Sequence, residues 1–278
     1  MSKIVRSSFV GSCAVAALLF AGPARAQTSS EVPDRFRLEL GGFRIGSDTE
    51  LSLDRAGGSR VDFESLNLPD SATRVYIEGF WRPWRRHQFS LSWYRNNREG
   101  DPKTVEREFT WGDQVITAGS TVTASAGSNY LSGVYRFAAY KNDQFEIGPS
   151  LGIGHLSIDA SISGQISATG PGGTTTRSFD SSKSLGQVTG DLGGYLYWWP
   201  IPRLLVRGDM RYIIVKPENA EASVTDGRAS VTFHPWPKVG FGLQYTYTKF
   251  RYDRDILDTD LGGSLRYSGG QLLASFAF

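Results

Sequence analysis

The feature that most constrains this chain is alternation. Along most of its length apolar and polar residues trade places at every second position, and after the first two dozen residues the apolar ones seldom run together. The last stretch shows the pattern well. Leu272, Ala274, Phe276 and Phe278 fall on one side, and Gln271, Ser275 and the small Ala277 on the other, with Leu273 breaking the polar side. Further back, Val239, Phe241, Leu243, Tyr245 and Tyr247 alternate with Gly240, Gly242, Gln244 and Thr246, and Phe89, Leu91 and Trp93 alternate with Gln88, Ser90, Ser92 and Tyr94. A period of two belongs to β-strands with two unlike faces.

The beginning of the chain is of a different kind. Lys3 and Arg6 precede an apolar run from Phe9 to Phe20, and Ala24-Arg25-Ala26 supplies small residues for cleavage, so residues 1–26 read as a signal peptide. Residues 27–34 are then a short periplasmic leader, and residues 35–278 the folded domain. The single cysteine, Cys13, lies inside the signal, with the apolar run after it rather than before it, which argues against lipidation. Its removal excludes disulfides, thiolate metal sites and cysteine nucleophiles. The formal charge of +2 falls to about −1 once Lys3, Arg6 and Arg25 are gone, so nothing in the charge suggests nucleic acid. Nothing after the signal approaches the roughly 20 apolar residues of a spanning helix. If the mature chain enters a membrane, it does so as a closed barrel, whose backbone groups all find partners within the sheet.

The chain order supports that architecture. Short turns near residues 83, 142, 200 and 236 alternate with longer polar connections at 47–71, 95–127, 159–185, 215–222 and 251–264. The expected fold is therefore all-β: a transmembrane antiparallel up-and-down barrel of about ten strands, with eight or twelve following if a loop hairpin is misread. Parity changes at Gly41-Gly42, which predicts a bulge there. The Ser-, Thr- and Gly-rich stretch 159–185 reads as a mobile loop, and 95–127 as a loop with room for its own hairpin. Trp81, Trp84, Trp198, Trp199 and Trp236 flank the short turns and predict an aromatic girdle at the periplasmic edge, because indole favours the headgroup level. The long loops would then be extracellular.

With the apolar faces turned to lipid, the polar faces turn inward. Arg37, Glu39, Arg74, Glu78, Arg136, Glu146, Asp191, Arg207, Asp209 and Arg211 are then a lumen-lining charge network, balanced between the two signs. Tyr76, Tyr94, Tyr195 and Tyr197 would share that space, filling it rather than leaving a wide pore.

Other motifs carry less. His87 and His234 stand beside short turns and read as interfacial residues. His155-Leu156-Ser157 places an imidazole and a hydroxyl on one strand face. It resembles the His-x-Ser of outer-membrane phospholipase and lipid A deacylase barrels, but Ile158-Asp159 follows where those enzymes have Asn-Gly. Gly170 to Thr174 lacks the Lys of a phosphate loop, and Arg207-Gly208-Asp209 lies within a strand, not on an adhesive loop. Asp253, Asp255, Asp258 and Asp260 read as a solvated acidic loop without the spacing of an EF-hand. No catalytic residue, metal site or cofactor is expected.

Arg37-Leu38-Glu39, Phe80-Trp81-Arg82-Pro83, Thr117-Ala118-Gly119-Ser120-Thr121 and Val239-Gly240-Phe241-Gly242-Leu243-Gln244-Tyr245, taken in order, resemble a group of uncharacterised proteobacterial outer-membrane barrels, and more distantly the small OmpA- and OmpW-type barrels. The resemblance implies the outer membrane of a Gram-negative bacterium, with its lipids and lipopolysaccharide as neighbours. It further implies that Phe276 and Phe278 form the terminal signal read by the barrel assembly machinery.

Overall fold

The computed structural model describes residues 35–53, 60–62, 64–69, 71–111, 114–170, 173–215, 222–252 and 261–278. The expected signal peptide, the leader and the Asp253 to Asp260 cluster lie outside the described residues.

Ten long strands carry the fold: β1 (Phe36–Leu53), β2 (Ser71–Trp84), β3 (His87–Glu99), β4 (Thr121–Phe137), β5 (Phe145–Gly170), β6 (Gly173–Ile201), β7 (Leu204–Val215), β8 (Ala222–Trp236), β9 (Val239–Tyr252) and β10 (Leu261–Ala277). Each pairs antiparallel with its chain neighbours, and β10 pairs back onto β1, from Arg37 opposite Ala277 to Leu53 opposite Leu261. At the seam the Phe36 N–H donates to the Phe278 carbonyl at 3.1 Å, and the Phe278 N–H donates to the Phe36 carbonyl at 2.8 Å. A sheet closed in this way has no free edge to satisfy.

Its sidedness is the reverse of a soluble barrel's. Outward-facing Leu243, Ile153, Met210 and Leu272 are 65%, 65%, 66% and 67% exposed, whereas inward-facing Glu78, Arg136 and Glu146 are 0% exposed. In water each exposed apolar side chain would forgo about 1.5–3 kcal/mol of burial energy. Against acyl chains that loss disappears.

The sequence expectation fails in three places, each for a physical reason. No bulge forms at Gly41-Gly42: the β1–β2 register runs through unbroken, and β1 keeps one register with β10 on both sides of Phe43 to Ile45. The missing side chain at Gly41 is instead filled from the facing position by Leu273, whose Cδ2 lies 2.9 Å from where a Gly41 Cβ would stand. That explains why Leu273 is tolerated on the polar side of β10. Residues 159–185 are not a loop: β5 and β6 pair residue by residue from Phe145 opposite Trp198 to Gly170 opposite Gly173. At about 3.3 Å per residue and a tilt near 40°, a strand as long as β5 rises about 65 Å, roughly twice a hydrocarbon core. Beyond the membrane both faces can be polar, so amphipathic contrast fades there while pairing continues. Likewise β1 extends to Leu53 and β3 to Glu99, shortening the loops expected at 47–71 and 95–127.

Close strand approach also fixes some glycines. A Cβ on Gly148 would lie 1.8 Å from the Phe137 carbonyl oxygen, so the chain must part there to admit one. Gly148→Ala is expected to lower stability by about 1–3 kcal/mol, as overpacking does. Urea unfolding in lipid vesicles measures it.

Candidate functional site

All ten charged residues expected to line the lumen face inward and are buried. Alternation places them there, one every second residue: Glu39 follows Arg37 on β1, Glu78 follows Arg74 and Tyr76 on β2, and Asp209 separates Arg207 from Arg211 on β7.

Glu78 stands at the centre. Its carboxylate accepts from Arg136 Nη2 at 3.3 Å, Arg207 Nη2 at 3.4 Å and Arg228 Nη1 at 3.2 Å, and from the Tyr76 hydroxyl. The donors come from β4, β7 and β8. In a ring of ten strands β2 and β7 are diametrically opposed, so the Glu78–Arg207 contact crosses the full width of the bore. Around this centre the pairs continue. Asp209 accepts from Arg136 Nη2 at 3.1 Å and forms an ion pair with Arg207 Nε at 3.2 Å, and Glu39 accepts from Arg207 Nη1 at 2.8 Å and forms an ion pair with Arg37 Nε at 3.1 Å.

A second group lies toward the long-strand end. Arg211 bridges Asp191 at 3.2 Å and Asp226 at 2.9 Å, with Tyr130 donating to Asp191 at 2.8 Å and Thr248 to Asp226 at 2.9 Å. Arg74 stands with its guanidinium 4.0 Å from the Tyr94 ring centroid and donates to Thr246 at 3.3 Å. A third group lies toward the short-turn end, where Glu146 accepts from Arg82 at 2.9 Å and from the Tyr195 hydroxyl at 2.8 Å and forms an ion pair with Lys141 at 3.0 Å. Each of these carboxylates faces two or more cationic or hydrogen-bonding partners, the pairing that lets charges persist away from water.

Arg82, Asp226 and Arg228 belong to this network although the sequence reading passed over them. Pro83 drew attention to a turn and away from Arg82. On β8 the apolar partners Ala229, Val231 and Phe233 were read, while the opposite parity, Asp226, Arg228, Ser230, Thr232 and His234, held the signal. His234 is accordingly not interfacial: it is 1% exposed and faces the lumen, its ring against Gly240. His87 does lie at the outer face, its Nδ1 2.7 Å from the Tyr135 hydroxyl. Trp81, Trp84, Trp198 and Trp236 are exposed beside the short turns. Trp199 points the other way, edge-on to inward-facing Tyr197 at 6.0 Å, because it shares the parity of Tyr195 and Tyr197.

Above the charges the mouth holds a separate apolar cluster. The short 3-10 turn Glu64–Leu66, the segment around Val105 and a hairpin of Phe109–Trp111 with Gln114–Ile116 pack Leu66, Leu68, Val105, Trp111 and Ile116 against Val122, Ala124 and Ala126 of β4 and Ala160 and Ile162 of β5. All five of those wall residues face inward, so this cap lies over the lumen side of the wall. Two backbone bonds and one side-chain bond hold it: the Val105 N–H donates to the Ser120 carbonyl at 2.8 Å, the Gly119 N–H to the Val105 carbonyl at 2.8 Å, and the Arg98 guanidinium to the Pro69 carbonyl at 3.1 Å.

His155 and Ser157 face outward instead, with the Ser157 Oγ 3.3 Å from His155 Nε2. Among the described residues His155 makes no other hydrogen bond, and no group of three His, Asp or Glu side chains is placed to hold a metal ion.

A closed antiparallel barrel, apolar outside and ionic within, is a barrel of the outer-membrane type. A solved structure supports the fold. The outer membrane protease OmpT from Escherichia coli superposes with a TM-score of 0.51 at 9% identity, over 91% of this chain and 99% of that one. Ail, the attachment invasion locus protein of Yersinia pestis, aligns at 11% identity over 87% of this chain and 96% of its own, with a TM-score of 0.35. Neither a protein-family model nor a curated protein sequence matches the chain.

Proposed function

We propose that the protein is an integral barrel of a Gram-negative outer membrane whose bore is filled by its own side chains. Its work is then structural or at the cell surface, neither catalysis nor free passage of solutes. In this reading the short turns and their tryptophans face the periplasm, and the tall β5–β6 hairpin stands outside the cell. The observation that carries the reading is the contact of Glu78 with Arg207 from the opposite wall. Side chains that meet in the middle of a bore obstruct it there, and Arg136 and Arg228 reach the same carboxylate from two further strands.

Planar-bilayer recording tests it. Purified protein is expected to insert without a steady conductance, whereas a stable open level would establish the porin-like alternative. The Ser157–His155 contact supports a second reading, an outer-leaflet lipid hydrolase. Hydrolysis of phospholipid or lipid A by the pure protein, lost in Ser157→Ala, would replace the first reading with that one.

A further inference from the structure

We propose that the outer face of β3 to β6, just above the apolar belt, is a binding groove for the phosphorylated saccharide of an acylated glycolipid of the lipopolysaccharide class. A groove of about 700 Å³ lies there. Its floor is made of small residues on the two middle strands, Ser125 and Gly127 on β4 and Ser161 and Ser163 on β5, while Arg95 and Asn97 on β3 rise at one side. These six side chains or backbone positions share the outward parity of the lipid-facing residues below them, so the groove opens outward, away from the lumen.

Its height decides the kind of ligand. The last apolar row on these strands is Trp93, Leu131 and Val188, with His155 between the last two in register. Arg95, Asn129 and Ser157 form the next row, and the rows of Gly127 and Ser125 follow. Two residues of a strand tilted near 40° rise about 5 Å, which sets the groove floor about 10–15 Å above the belt, at the depth of lipid head groups and sugars. An occupant must therefore continue downward as acyl chain on the Leu131 and Val188 face and upward as polar head in the groove. Hydroxyl-rich walls suit a saccharide, and the Arg95 guanidinium, exposed and with Asn97 as its only hydrogen-bond partner among the described residues, suits a phosphate. Asp159 and Glu99 on the rim oppose a bare phosphate, so the ligand's phosphates would arrive with their divalent cations.

The inference rests on the proposed sidedness, with the tall hairpin outside the cell, and two measurements separate them. In the first, purified full-length barrel in micelles containing Mg²⁺ is titrated with fluorescent rough-type lipopolysaccharide. Saturable binding is expected, with Arg95→Ala and Ser161→Trp each weakening it about ten-fold at unchanged heat-modifiable mobility. Variants that bind as tightly as the parent, or phosphatidylethanolamine that competes as well as lipopolysaccharide, would overturn the groove. In the second, Ser182→Cys, the sole cysteine once the signal is cleaved, is treated with an impermeant maleimide on intact cells. Labelling upholds the sidedness, and protection would overturn it whatever the titration shows.

Discussion

Glu78→Ala is expected to cost the barrel about 3–5 kcal/mol, the loss typical of a buried ion pair deprived of one partner. Three guanidinium groups, those of Arg136, Arg207 and Arg228, converge on this carboxylate at 3.2–3.4 Å. Each keeps another acid, Asp209 for Arg136, Glu39 for Arg207 and Asp226 for Arg228, so the network is not dismantled. What remains is like charge crowded among buried side chains. Glu78→Gln retains the shape and one acceptor, and should recover part of the loss. The size of the effect is the informative part. Were the bore filled with water, the same pairs would behave as exposed salt bridges, worth about 0–1 kcal/mol. Urea unfolding of the two variants in lipid vesicles therefore reports on the lumen as well as on the residue, and a loss near the lower figure would argue for an open channel.

How much of this could be read from the chain depended on whether a residue lay within the membrane. There the two faces meet different surroundings, and parity alone placed Arg37, Glu39, Glu78, Arg136 and Asp209 inward and Leu91, Ile153 and Leu243 outward. Above it the outer face turns polar while part of the inner face turns apolar beneath the cap, so the pattern of a lipid-facing strand is lost, and the Ser- and Thr-rich arms of β5 and β6 read as loop although they pair throughout. The network's wiring was not legible at all. That Glu78 and Arg207, 129 residues apart, meet across the bore follows from the register and closure of ten strands, which no local pattern encodes. The groove was hidden for a similar reason: Ser125 and Ser161 hydrogen-bond at 2.8 Å as neighbours, but in sequence they belong to two separate polar stretches.

The cap at the mouth was foreseen only as a hairpin in a long loop, and Trp111 is what makes it a folded unit. Its side chain is 0% exposed, among Leu66, Leu68, Ile116, Val122 and Ile162. Trp111→Ala would remove the largest member of that cluster and leave a cavity that two short strands and a 3-10 turn can fill only in part, at a cost of about 3–5 kcal/mol. The loss is local. The barrel below is held by its own strand ladder and by ion pairs that do not involve the cap, so the variant is expected to keep its heat-modifiable mobility while the cap opens. Limited trypsin digestion reads this out, because Lys103 and Arg107 lie within the cap segment. If cleavage follows the population of the open form, it should accelerate about 100-fold or more in the variant. A rate unchanged from the parent protein would mean that the segment gains nothing from the cluster, and the mouth would then be closed by the charges alone.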